Sequence, residues 1–275
     1  MGNIRLKSPR EMDTMQQAGR IVADTLLLLR GHLREGITTR ELNDLAAEYL
    51  ASQGATTSYQ QVGFDGVVCV SVNDEIVHGV PGKRVLRAGD VVSLDITAIY
   101  RGYHGDAAIT ACIGMMSPVA RYLITTTEQA LALGISLATP GRHLFDISAA
   151  IHDFVDSQGL SVVRNYVGHG IGRSMWEEPQ VPNYRQDSRG PVLRPGMVFT
   201  IEPMINAGRP DTVTLADKWT VVTKDHKLSA HFEHTIAITP TGPRILTEPS
   251  DRNQLWGVQL PGPVEGTGAL HGRHA

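Results

Sequence analysis

The sequence predicts an α+β fold assembled from two related halves, and three observations carry that prediction. Helix-patterned and strand-patterned stretches follow one another in two successive rounds. LRAGDVVSLD at 86–95 is echoed by LRPGMVFTIE at 193–202, each with a Leu-Arg-x-Gly start, an apolar run and a terminal acid. In each round a second acid then precedes a similar run, Asp106 before AAIT and Glu233 before HTIAIT, while a His-Gly pair stands upstream, His78-Gly79 and His169-Gly170. Two such halves set face to face would bring their acids together between them.

The first helix should begin at Ser8, which is a good N-cap. Pro9 fits the first helical position, where no N–H is needed, and Glu11 completes a capping box. Gly31 should end it. A second helix is read over 39–50, where Leu42, Leu45, Ala46 and Tyr49 recur at helical spacing and Gly54 lies beyond. From Phe64 the texture becomes short β-type runs broken by glycine: GVVCVSV, GDVVSLDITAIY and GDAAITACIG. Helical periodicity returns over 118–137 and 144–154, and strand texture over about 160–245. Residues 1–247 are thus expected to form one domain. Prolines and glycines without a period predict a flexible tail over 248–275.

With 25 basic and 28 acidic residues and a formal net charge of -3, the chain offers no electrostatic case for DNA or another polyanion. Cys69 and Cys112, its two cysteines, are too few for a disulfide framework or a cysteine-rich zinc module, and suit a reducing compartment. The apolar run at 23–29 is broken by Asp24 and Thr25 and stops at Arg30, far short of a bilayer span. The polar first twenty residues do not read as a secretory signal, and Leu6 stands where N-myristoylation needs Ser or Thr. A cytoplasmic monomer without membrane contact is expected.

Asp95 lies in the otherwise apolar run VVSLDITAIY, Asp106 in the turn-like GYHGDAA, and Glu202 just before Pro203. Each alone reads as an ordinary turn or strand-end acid. Together with Glu233 and the glycine-flanked His169 they form an oxygen-rich list of donors suited to two adjacent divalent ions. Mostly oxygen ligands with one nitrogen fit manganese, iron(II), cobalt or zinc. Two close ions of that kind acidify water and polarise a carbonyl, which is hydrolytic chemistry.

The stretches VNDEIVHGVPG, LDITAIYRGYHGDAA, VGHGIGRSMWEEPQVP, FTIEPMI and KWTVVTKDHKLSAHFEHTIAIT resemble those of the type I methionine aminopeptidases of metallopeptidase family M24, from about residue 7 to 246. The resemblance implies the pita-bread fold, two pseudo-twofold halves around a curved antiparallel sheet flanked by helices. It implies that Asp95, Asp106, His169, Glu202 and Glu233 ligate two ions, with Asp106 and Glu233 bridging, and that Glu202 also carries a proton from water to the departing amine. His78 would approach the substrate amine or the scissile nitrogen. Phe64, Cys69 and Trp219 would line or flank the pocket for the methionine side chain, while His104 and His234 would support neighbouring ligands or meet solvent. The implied reaction removes the N-terminal methionine of nascent chains whose second residue is small, with transient contact to the ribosome. Three positions depart from the family pattern, one of them Phe64 in place of a frequent tyrosine. Trp176 stands where a second histidine usually steadies the substrate carbonyl, and Gln61 where an aromatic usually flanks the pocket. A catalytically impaired or substrate-shifted relative, acting as a binding module or on another N-terminal residue, is therefore the alternative. A prolidase-like enzyme is disfavoured because only 77 residues precede His78.

Overall fold

A computed structural model of the protein describes residues 3–251. The tail expected over 248–275 lies, from residue 252 on, outside the described residues. The chain opens with helix α1 (Pro9–His32), whose capping box is formed as expected: Ser8 Oγ accepts from the Glu11 N–H while the Glu11 carboxylate accepts from the Ser8 N–H at 2.9 Å. Thr38 and Glu41 repeat the device at α2 (Thr39–Ser52). Strands β1 (Val68–Val72), β2 (Glu75–Val77), β3 (Val91–Tyr100) and β4 (Tyr103–Cys112) complete the first half.

The second half repeats the order. Ser117 caps α3 (Pro118–Leu137), and α4 (Leu144–Ser157) runs three residues beyond its expected end. Then come β5 (Ser161–Val162), β6 (Gly168–Gly170), β7 (Glu177–Val181), β8 (Val198–Ile201), β9 (Met204–Asn206), β10 (Thr212–Thr214), β11 (Val221–Thr223), β12 (Ser229–His231), β13 (Glu233–Thr239) and β14 (Gly242–Ile245). The main sheet has the order β1-β3-β4-β13-β8-β6-β7, with β14 joined to β13, and every pairing in it is antiparallel. The expected α+β class and curved antiparallel sheet are therefore present.

Strands β3 and β4 are joined by Arg101 and Gly102, both at positive φ (49° and 76°), as a two-residue hairpin turn matched to strand twist requires. All of β3 from Val91 to Ala98 is buried, because α1 covers one face and the site occupies the other. The covering face of α1 is the stripe Met15, Val22, Leu26 and Leu29, each fully buried. Each such side chain contributes about 1.5–3 kcal/mol of transfer free energy, so the helix clamps the hairpin that carries two of the site's acids. Among the described residues no helix is long and apolar enough to cross a membrane.

Candidate active site

Strand register puts five functional side chains on one face of the sheet. Side chains directly opposite in a pair point the same way, as do alternate residues along a strand. Asp95 pairs with Ala108 and Thr97 with Asp106, so Asp95 and Asp106 share a face as diagonal neighbours. Glu233 pairs with Ala108 from the other side and joins that face. His234 pairs with Ile201, which makes Glu202 the next residue across from Glu233. Gly170 pairs with Phe199, which places His169 across from Thr200, the alternate neighbour of Glu202. Asp106 is thus inside a ten-residue strand, not in a turn as GYHGDAA suggests. The tyrosine and histidine of that stretch find burial in the hairpin, and this overrides the local turn composition.

The five converge. One donor atom each from Asp106, His169 and Glu233 lies within 4.8 Å of the others. His169 Nε2 is 3.7 Å from Asp106 Oδ2 and 3.8 Å from Glu202 Oε1. Tyr59 donates its hydroxyl to Asp95 Oδ1 at 2.6 Å, and Thr200 donates to Glu202 Oε1 at 2.6 Å. His169 Nδ1 sits 3.0 Å from the Gly170 carbonyl, an arrangement that orients the ring with Nε2 toward the acids.

The flanking glycines serve close backbone approach rather than flexibility. A Cβ on Gly168 would lie 2.5 Å from the Thr200 carbonyl oxygen, and one on Gly170 only 2.1 Å from that of Glu178. Any larger residue would push His169 off the sheet.

Burial perturbs every acid of the cluster, and mutual repulsion adds to it. Burial raises the Asp95 pKa to about 6 against the opposing hydrogen bond from Tyr59, and raises Glu202 to about 8. Asp106 and Glu233 are pushed well above the carboxylate range, first by burial and then by the charges of the neighbouring acids. Burial also lowers His169 to about 4, so its imidazole is neutral and able to ligate. Asp106 Oδ1 and Glu233 Oε1 are buried without a hydrogen-bond partner. Buried acids that repel one another, with unsatisfied oxygens beside a neutral imidazole, are what divalent cations stabilise. The residues fit such ions.

The cluster floors a water-accessible cavity of about 140 Å³ whose wall includes His78, Tyr166, Trp176, Met204 and His231. His78 is held at φ 60°, a strained value for a non-glycine residue, with its ring edge-on to Tyr166 at 5.6 Å, and burial lowers its pKa. Trp176 stands at the mouth, 58 % exposed, its ring 6.4 Å from that of His169. Phe64, Cys69 and Trp219 are brought together in an apolar cluster with Tyr59 and Val80, Trp219 meeting Phe64 edge-on at 5.4 Å. Tyr59 is the member of that cluster that reaches the cavity wall. Gln61 is exposed. His104 hydrogen-bonds the Gly172 carbonyl at 3.1 Å and His234 the Thr247 hydroxyl at 2.7 Å, so both brace loops beside ligand strands.

Three residues escaped the sequence reading. Tyr59 carries no local signal, because nothing in its neighbourhood tells that its hydroxyl meets Asp95. His231 lines the cavity with both ring nitrogens buried and unpartnered, and burial lowers its pKa to about 3. Its spacing two residues before Glu233, along strand texture, was the available hint. Lys7 is almost wholly buried against Glu177 at 2.6 Å, tying the segment before α1 to the loop that carries Trp176.

Residues 13–240 match the model of metallopeptidase family M24. The chain is 52% identical over 242 residues to methionine aminopeptidase 1 of Bacillus subtilis, covering 88% of this chain and 98% of that one. It is 41% identical to the methionine aminopeptidase of Escherichia coli K12 over 249 residues, 89% and 94% of the two chains. The crystal structure of methionine aminopeptidase from Thermotoga maritima superimposes with a TM-score of 0.87 at 41% identity, over 89% of this chain and 99% of that one. Prolidase from Pyrococcus furiosus shares the fold at a TM-score of 0.73 and 22% identity, with 65% of its length covered. The chain therefore belongs to metallopeptidase family M24, among its pita-bread methionine aminopeptidases.

Proposed function

We propose that the protein is a metal-dependent aminopeptidase that hydrolyses the bond after an N-terminal methionine when the second residue is small. The observation that carries this reading is the convergence of Asp95, Asp106, His169, Glu202 and Glu233 on one face beneath a cavity, with oxygens of Asp106 and Glu233 buried and unsatisfied. Two divalent ions, drawn from manganese, iron(II), cobalt and zinc, would be held by these five side chains. When bound, such ions supply Lewis acidity that polarises a carbonyl and makes water a nucleophile near neutral pH.

The chain's own groups do the rest. Glu202, on the cavity wall beside His169, would as a carboxylate accept a proton from water and return it to the departing amine. His78, neutral and set on the cavity wall, hydrogen-bonds the substrate near the scissile nitrogen. The cluster of Tyr59, Phe64, Cys69 and Trp219 takes the methionine side chain, since an unbranched thioether packs well among aromatic rings. Trp176 offers one N–H donor and no base, so it can touch the substrate but cannot move a proton. Its exposure leaves the cavity open, and all five ligands persist, both of which favour hydrolysis over a binding role. The natural substrates would be nascent chains met near the ribosome in the cytoplasm.

Metal-free protein incubated with Met-Gly and Met-Ala peptides, and with peptides of other first residues, tests the reading. Methionine release that appears only on adding a divalent ion is the expected result. A folded, metal-loaded protein that releases none would overturn it.

A further inference from the structure

Two of the four acids are held by a hydroxyl, Glu202 by Thr200 two residues before it and Asp95 by Tyr59 from a different element. Asp106 and Glu233 each keep a buried oxygen without a partner, whereas Asp95 Oδ1 accepts a 2.6 Å hydrogen bond from Tyr59. Both residues are buried. Nor is Tyr59 free to drift: it begins a short 3-10 turn, its N–H is bonded to Thr57 Oγ1 at 3.2 Å, and its ring packs on Phe64 at 5.3 Å. A fixed phenol that claims one oxygen of a carboxylate sets the plane of that carboxylate and presents the other oxygen in a single direction. The turn that carries Tyr59 follows α2, whereas Asp95 lies on β3, so the bond joins two elements 36 residues apart in sequence.

We propose that Tyr59 is the positioning residue for Asp95 and thereby sets the affinity of the one ion that Asp95 helps to hold, leaving the ion held by His169 and Glu202 unaffected. This rests on the two-ion reading above. It also gives a reason for the aromatic to sit at 59 rather than 61: from the turn's first residue the ring closes the apolar cluster while the hydroxyl reaches the ligand, and Gln61 is left facing solvent. The same side chain thus belongs to the methionine pocket by its ring and to the ion site by its oxygen.

Tyr59→Phe keeps the ring and deletes the oxygen. Metal-free wild type and variant should be titrated with cobalt(II) by calorimetry, with the visible cobalt spectrum followed in parallel and thermal melts run on both. The expected outcome is that the wild type takes two ions per chain with resolvable affinities. The variant should melt cooperatively and keep one step unchanged, with the other step reduced about 10- to 100-fold. An isotherm identical to the wild type's, or an equal weakening of both steps, would overturn the role assigned to Tyr59. A wild-type chain that takes up no ion would overturn the two-ion reading and the inference with it, which separates that failure from the first.

Discussion

The two halves bring side chains to the same cavity by different mechanical means. In the first half Asp95 and Asp106 sit within β3 and β4, ten residues each, paired without interruption from Val91 and Cys112 to Tyr100 and Tyr103. In the second half His169 sits in the three-residue β6, whose register against β7 slips at His169 and Gly170, and Glu202 lies just past the end of β8. The loop that follows β6 carries Met175 and Trp176 to the cavity. A long, uninterrupted ladder makes a stiff platform, while a short strand with a slipped register makes an adjustable rim. The two halves thus differ: the first lends the site a stiff ladder, and the second adds an adjustable rim beside β13, which carries Glu233 and is paired on both sides.

Breaking the platform should have the largest effect. Asp106→Asn removes a charge placed among the other acids and is expected to lower kcat/KM at least a thousandfold, the several kcal/mol that ion-assisted stabilisation supplies. The same variant, stripped of metal, should melt no lower than the wild type, because it relieves repulsion among buried carboxyls. Peptide hydrolysis and melts in chelator check the two halves of that statement. A large fall in metal-free melting temperature would mean that Asp106 holds the hairpin together by itself.

Disturbing the rim should cost less. Gly170→Ala forces a Cβ to within 2.1 Å of the Glu178 carbonyl unless the strand moves, and the strand carries His169 with it. Overpacking of this kind costs about 1–3 kcal/mol of stability. A shift of about 1 Å in a reacting group can lower the rate about a hundredfold. Melts and steady-state kinetics on Met-Ala peptides measure both.

The raised carboxyl pKa values make both halves sensitive to pH in the same sense. In the metal-free chain Asp95 and Glu202 titrate near 6 and near 8, above their unfolded values, so the stability they contribute is present at low pH. It is lost as the pH rises through those values. Metal-free protein should therefore melt lower at pH 8.5 than at pH 5.5, and added cobalt(II) should reverse the order. Metal affinity runs the other way, rising at least about tenfold per unit below pH 8, where Glu202 and the other raised carboxyls must give up protons for an ion to enter. Calorimetry at pH 6, 7 and 8 measures that slope, and a flat series would show that the acids are already ionised.

Much of this was legible because it is local or repeated. The cap at Ser8 is set by a side chain three residues from its partner, and the site's acids stand out because the Leu-Arg-x-Gly strands and their acids recur. What stayed hidden depends on contacts between distant segments. Asp106 reads as a turn residue until β3, β4 and β13 pair around it, and Tyr59 reads as an ordinary turn aromatic until Asp95 is placed 2.6 Å from its hydroxyl. His231 looks like any strand histidine until its two nitrogens are found buried and unpartnered.

The smallest expected effect is the one that best separates rim from platform. Trp176 meets the site only by an edge-type ring contact with His169, the centres 6.4 Å apart, and more than half of the residue is exposed. Trp176→His should therefore leave stability nearly unchanged, and the loop is in any case anchored by Lys7 and Glu177. An imidazole at the mouth can both donate and accept, where indole only donates. One added neutral hydrogen bond to the substrate carbonyl in the transition state is worth about 1 kcal/mol, or roughly a three- to tenfold rise in kcat on methionyl peptides. KM should move less than kcat, because the interaction strengthens as the carbonyl oxygen gains charge. An unchanged or reduced kcat would mean that the indole is itself a substrate contact that the imidazole cannot replace, and the rim would then be tuned for binding rather than for turnover.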